Sequence, residues 1–193
     1  MTDLHTHILP CIDDGSIGPS TSGLMLASLA EQGVDTVALT PHFYPDRMSI
    51  EAFLRRRERA FASIQGRIPS GLAVCCGAEV AISRSLPGSA LLAQLCIGKS
   101  GLLLLELPEN GPFAGWMLET AAALRDRQGV TPVLAHPERC AFLRRRFTLV
   151  GAFAEAGCLF QINAASLFNR RRRFVHKLIK AGYVQFWAPT ATI

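Results

Sequence analysis

Short apolar runs recur along the chain, separated by longer amphipathic stretches, and each run stops at a polar side chain able to bind a metal. Val37-Ala38-Leu39-Thr40-Pro41 leads to His42, and Leu72-Ala73-Val74-Cys75-Cys76 leads to Glu79. Residues 102–105, all leucine, lead to Glu106, and Val133-Leu134-Ala135 leads to His136. Continuous apolar runs of this length are the signature of strands buried on both faces of a parallel sheet. At the start of the chain, His5 and His7 are two residues apart, so a strand there puts both imidazoles on one face. Between the runs, helical character is predicted for residues 20–32, 49–65, 86–95, 116–128, 142–156 and 170–181. Pro19 and Gly33 suit the two ends of the first helix, and Ser49 is placed to cap the second. Strand ends fall near positions 7, 42, 79, 106, 136, 163 and 188. Seven strands alternating with six helices predict an α/β fold with a parallel sheet. Because every strand end offers polar groups to one place, a closed or nearly closed βα barrel is favoured over an open sheet.

Composition narrows the class without changing it. At 193 residues the chain is expected to form one domain over 1–193, with no linker, repeat or low-complexity segment. Hydrophobic residues make up 49%, too many for a disordered chain. The uninterrupted apolar runs are far shorter than a membrane span, so no stable membrane insertion is expected. No basic segment followed by an apolar one opens the chain, which reads as lacking a secretion signal. Six cysteines without Cys-x-x-Cys spacing suit free thiols and a cytoplasmic location. The net charge of +5 is carried by clusters at Arg55-Arg56-Arg57 with Arg59, at residues 144–146 and at residues 170–173. The simpler account is solvated faces of outer helices. The functional one is attraction of an acidic or phosphorylated macromolecule. Nucleic acid is the weaker option, because no recognised motif accompanies the arginines.

The strand-end residues carry the chemistry. Each alone is weak: a single His-x-His is commonly incidental, and Asp13-Asp14-Gly15 is an ordinary turn sequence. Together, four imidazoles and three carboxylates converging on one rim are hard to keep without a cation, and this points to a metallohydrolase. Of the six cysteines only Cys140 has an arginine six positions on, Arg146, and the five residues between them include no glycine to bring backbone N–H groups around a phosphate, so a thiolate-based phosphatase loop is not favoured.

His5-Thr6-His7, Asp13-Asp14-Gly15, Thr40-Pro41-His42, Gly77-Ala78-Glu79, Leu105-Glu106 and His136-Pro137-Glu138-Arg139 together resemble the PHP metallohydrolases. Within them, the opening from His5 to Gly15, the run Leu134-Ala135-His136-Pro137-Glu138-Arg139 and Gln161-Ile162-Asn163 are similar to the bacterial manganese-dependent tyrosine-protein phosphatases of capsule and exopolysaccharide operons. The resemblance implies a distorted (β/α)7 barrel holding up to three divalent ions, Mn2+ in this branch. It implies one metal on His5, His7 and Glu79, a second on Glu79, Glu106 and His136, and a third to which Asp14 and His42 contribute. Mixed imidazole and carboxylate ligation by itself does not choose among manganese, iron and zinc. Ions roughly 3.5–4 Å apart lower the pKa of water and stabilise charge on the attacking and leaving oxygens of phosphoryl transfer. The same resemblance gives Arg139 a catalytic and substrate-binding role, forking onto phosphate oxygens, and places Asn163 in substrate binding. The implied substrate is a phosphotyrosine-bearing protein, a tyrosine kinase of polysaccharide synthesis. A homo-oligomer is left open. The alternatives are a small-molecule phosphatase of the histidinol-phosphate type and a catalytically dead remnant.

The last alternative comes from a departure in the sequence. After Ala188 the family reads Ser-Asp-x-His, with Asp and His as ligands. This chain has Pro189-Thr190-Ala191-Thr192-Ile193, so Thr190 and Thr192 occupy those positions. The expectation is a C-terminally truncated domain, with poor metal retention and little activity. A frameshift is consistent with it: CCG ACG GCC ACG ATN encodes the observed residues and, read in the neighbouring frame, yields Asp-Gly-His-Asp.

Overall fold

The computed structural model describes residues 1–188. The strands are β1 (Thr2–Thr6), β2 (Thr36–Leu39), β3 (His42–Phe43), β4 (Ala73–Cys76), β5 (Glu79–Ala81), β6 (Leu102–Glu106), β7 (Thr131–Ala135), β8 (Leu159–Asn163) and β9 (Phe186–Ala188). The α-helices are α1 (Pro19–Glu31), α2 (Ile50–Ala62), α3 (Trp116–Gln128), α4 (Ala141–Arg145), α5 (Thr148–Glu155) and α6 (Arg172–Lys180). Every strand pairing is parallel. One sheet runs β1-β2-β4 and the other β3-β5-β6-β7-β8-β9. β9 returns to lie against β1, so the strands follow one another around a ring.

Among the described residues nine strands appear where the pattern predicts seven, because two runs are each broken once. Pro41 lacks the N–H that a continuing ladder needs, and it separates β2 from β3. Gly77 separates β4 from β5, where a Cβ would come within 3.2 Å of the Ile97 backbone and 3.3 Å of Thr40. Each break lets the strand shift sideways from one sheet to the other and carries His42 and Glu79 toward the middle of the ring. Two predicted helices also differ. Pro87 and Gly88 interrupt residues 86–95, and only Leu92–Leu95 forms a 3-10 turn. Residues 142–156 divide into α4 and α5 at Arg146, whose backbone leaves the helical region (φ −134°, ψ 81°). The Phe147 ring there packs against Phe174 and Tyr183. Elsewhere the local signals hold. Ser49 accepts a hydrogen bond from Ala52 N at the start of α2, and Gly129 ends α3 in the left-handed region.

Strand alternation sorts the core. Leu103, Leu105, Leu134, Phe160 and Ile162 face outward into a large apolar layer with Leu124, Val150, Phe153, Val175 and Leu178 of the helices. A second outer layer joins Leu26 and Leu29 of α1 to Val37 and Leu39. On the opposite strand faces, Leu104, Val133 and Ala135 pack with Leu159 and Phe186 inside the ring. One or two steps further toward the strand C-termini, the same inward register brings Glu106, Gln161 and Asn163 to the rim. The basic clusters are largely exposed, with Arg57 and Arg171 half-buried. Arg57 is not on a solvated face: it donates to the carbonyls of Gly77 (2.8 Å) and Gln94 (3.0 Å), tying α2 to the broken strand. All six cysteines are free. No helix among the described residues is long and apolar enough to cross a membrane. Thr190 and Thr192 lie outside the described residues.

Candidate metal centre

Glu79 sits at the middle of the strand C-termini with no solvent exposure. Its Oε1 lies 2.7 Å from His136 Nε2. Its Oε2 lies 3.1 Å from His5 Nε2, 3.2 Å from His7 Nε2 and 3.2 Å from His42 Nδ1, yet accepts no well-formed hydrogen bond. Glu106 stands beyond, 3.6 Å from His42 Nδ1 and 3.9 Å from His136 Nε2. Asp14 is at the mouth, 84% exposed, with Oδ1 3.7 Å from His42 Nε2. The ligand-type atoms of His5, Glu79 and His136 lie within 4.8 Å of one another, as do those of His7, His42 and Glu79. Glu79 is common to both groups. His136 reaches it from a left-handed backbone conformation (φ 33°, ψ 55°), a strained choice for a residue with a Cβ.

The protons of this cluster can be assigned from its outer partners. His5 Nδ1 is 2.9 Å from Gln161 Oε1, whose Nε2 donates to Asn163 Oδ1, so His5 Nδ1 is the donor. His7 Nδ1 donates to Asp13 Oδ2 at 2.8 Å. Both neutral rings therefore turn unprotonated Nε2 atoms inward, 3.2 Å apart, at the same unpartnered Glu79 oxygen. Three lone pairs converge with no hydrogen between them, which only a cation or added protons can reconcile. In the metal-free chain protons serve. Burial opposes a charged His7, but hydrogen bonds to Asp13 and Glu79 outweigh it and push its pKa up to about 10. Burial works to raise Glu79 as well, and it is overridden by the charge of His5 with hydrogen bonds from His136, His5 and His7, which hold it well below the usual carboxylate range. Glu106 goes the other way, raised by burial and by repulsion from Glu79. The donor set, all nitrogen and oxygen, suits a first-row divalent ion.

The structure thus brings His5, His7, His42, Glu79, Glu106 and His136 together, with Asp14 at the edge. Arg139 is outside the cluster, on the turn after His136, half-exposed and 3.7 Å from Glu109 Oε1. Asn163 is linked to His5 through Gln161, and its backbone N–H donates to Glu138 Oε1 (3.0 Å), which also accepts from Ser166 Oγ (2.9 Å). Sequence reasoning passed over Asp13 and Gln161, which orient His7 and His5. The inward register of Gln161 on β8, two residues before Asn163, was the available signal for one of them.

The profile of capsular polysaccharide synthesis proteins, CpsB/CapC, matches residues 1–192. This chain belongs to the CpsB/CapC family. Within that family it is 30% identical to the tyrosine-protein phosphatase YwqE of Bacillus subtilis, with 99% of this chain and 77% of YwqE covered. It is 26% identical to the tyrosine-protein phosphatase CpsB of Streptococcus pneumoniae, covering 92% of this chain and 75% of that protein. The fold agrees with a crystal structure from the study of YwqE and CpsB as unique metal-dependent tyrosine phosphatases. The TM-score is 0.78 at 26% identity, over 97% of this chain and 78% of that one.

Proposed function

We propose that this CpsB/CapC chain is a metal-dependent protein-tyrosine phosphatase of capsular or exopolysaccharide synthesis, acting in the cytoplasm on a phosphorylated tyrosine kinase, with Mn2+ as its metal. The observation that carries the reading is the meeting of His5 Nε2, His7 Nε2 and Glu79 Oε2 in lone-pair-only geometry. His5, His7 and Glu79 would hold one ion, Glu79, Glu106 and His136 a second, and Asp14 and His42 would serve a third. Bound there, divalent ions supply acidified water and positive charge for phosphoryl transfer. The chain's own contributions are separate. Asp13 and Gln161 hold two imidazoles in the tautomer that presents Nε2, and Glu138 secures the turn that carries Arg139 beside the end of β8. Arg139, always charged and able to donate two parallel hydrogen bonds, binds the phosphate oxygens. Asn163 assists at the same rim.

Metal content and turnover of para-nitrophenyl phosphate and of a phosphotyrosine peptide, measured side by side, test this. The manganese-loaded chain is expected to hydrolyse both. Arg139→Ala is expected to lower turnover at least tenfold while metal content stays nearly unchanged. Equal loss of metal and activity would make Arg139 structural. A second reading is favoured by Thr190 and Thr192, whose neutral hydroxyls are weak ligands: a chain that holds metal loosely and turns over little. Substoichiometric metal after desalting, with turnover at the level of the Glu79→Gln variant, would select it.

A further inference from the structure

Two approaches lead to the metal centre, and they differ in charge. Beside His42 a cavity of about 400 Å³ is walled by Ile12, Tyr44, Arg47, Met48, Phe53 and Arg56, with Asp13 and Asp14 at its inner end. A second cavity of about 290 Å³ shares Ile12 and Arg56 and continues past Cys11 to Arg59. Adjoining at Ile12 and Arg56, the two make a channel between the loop after β1 and helix α2. On the far side of Tyr44, the other approach is lined by Asp46, Glu106 and Glu109 with Trp116. Tyr44 divides them. Its ring stacks on His42 (centroids 5.5 Å apart, interplanar angle 26°), and the Arg47 guanidinium lies 4.7 Å from its centroid.

The arginines of the channel have charge to spare. Among the described residues, arginine side chains pair with carboxylates only at Arg125–Asp126 and Arg139–Glu109. Arg56 makes one long hydrogen bond, 3.4 Å to the Ile12 carbonyl, and Arg47 only stacks. Both are exposed. At the inner end Asp13 is engaged with His7, and the exposed Asp14 lies 3.7 Å from His42 Nε2. A guanidinium free of carboxylates along a channel with an apolar floor suits an extended segment whose side chains are acidic.

We propose that this channel binds the residues flanking the phosphotyrosine, and that Arg47 and Arg56 select acidic side chains there. The assignment rests on the phosphatase reading above, to which it adds a sequence preference. The acidic lining beyond Tyr44 repels the same side chains, so the preference is for acid on one side of the phosphotyrosine only.

The test uses the full 193-residue chain with manganese and three labelled peptides carrying phosphonodifluoromethyl-phenylalanine, a phosphotyrosine mimic that is not hydrolysed. One has acidic residues before the mimic, one after it, and one has alanine on both sides. Fluorescence anisotropy reads affinity. One acidic peptide is expected to bind about three- to tenfold tighter than the alanine peptide, with the advantage shrinking as salt is added. Arg47→Gln with Arg56→Gln is expected to bring that ratio close to one, and Arg47→Lys with Arg56→Lys to restore most of it. Equal affinities for all three peptides, or an acidic preference untouched in the glutamine variant, overturns the channel. Turnover of the alanine-flanked phosphotyrosine peptide is measured alongside and reports on the phosphatase reading itself, independently of the ratio.

Discussion

Asp13 decides what His7 can do. It accepts from His7 Nδ1 (2.8 Å), from the His42 backbone N–H (3.0 Å) and from Gly15 N–H (3.1 Å), so one buried carboxylate fixes a tautomer and the loop that carries it. Removing such an outer partner weakens metal binding by about 10–100-fold in comparable sites. Asp13→Ala is expected to fall in that range in a competition titration against a chelator, with far-UV circular dichroism retained. Unchanged affinity would mean that His7 is oriented by packing alone. His42, Glu79, Glu106 and His136 were legible because each follows an apolar run, and His5 and His7 because they stand two residues apart. Asp13 was not, since in sequence it differs from Asp14 only by one place in a turn, and only the crossing of the loop over His7 shows which is buried. Thiol chemistry separates by the same criterion. Burial raises the Cys96 and Cys140 thiols to about 11 and Cys158 to about 12, whereas Cys11 is exposed. A disulfide reagent under native conditions is expected to label Cys11 first, and Cys11→Ser to remove that fast phase.

The loop between β1 and α1 is the element on which the site turns, and its tightest point is Gly15. A Cβ added there would meet the His7 carbonyl oxygen at 2.1 Å and the His7 Cβ at 2.5 Å, and neither can move without shifting the ligand. Overpacking of this kind costs about 1–3 kcal/mol. In a chain of this size that is roughly 2–12 °C in Tm. Gly15→Ala is expected to lower Tm in that range and to weaken metal binding as well. Gly18→Ala, where an added Cβ meets nothing, is the control. A Gly15→Ala chain with full metal content and unchanged Tm would contradict the packing shown. Strands and helices with one dominant signal were legible: the leucine run of β6, the Gly129 stop of α3, the Ser49 cap of α2. The broken strands were not, because Thr40-Pro41 and Gly77 read as strand ends. Here tertiary bonds instead let the chain resume as a strand in the next sheet. Thr40 Oγ1 accepts from Thr6 N–H at 3.0 Å, bridging the step. The gap between α4 and α5 was equally hidden, since what breaks the helix is the Phe147 ring seated against residues 27 and 36 positions away.

At the scale of the whole molecule, protons and metal compete for the same lone pairs, and the direction of that competition follows from the shifts. His7 in the folded metal-free chain titrates near 10, above its ordinary 6.5. Its contribution to folding is therefore fully present below about pH 6.5 and lost as pH rises toward 10. Glu79 is held well below its ordinary 4.5, so its contribution is present above about pH 4.5 and lost as pH falls through the depressed value. The metal-free chain thus keeps both contributions between about pH 4.5 and 6.5, and His7 weakens its stability on the alkaline side. Metal binding needs His7 neutral at Nε2, so it must expel that proton, and affinity rises with pH across the range where the proton is held. A metal that binds only the folded chain stabilises it in proportion to the logarithm of its occupancy ratio. The expected result is a Tm difference between manganese-loaded and chelator-treated protein that widens steadily from pH 6 to pH 8.5. Calorimetric titrations in buffers of different ionisation enthalpy should show proton release on manganese uptake. A Tm difference that stays flat or narrows over that range, with no proton released, would mean that the imidazoles of His5 and His7 face each other for a reason other than a shared cation.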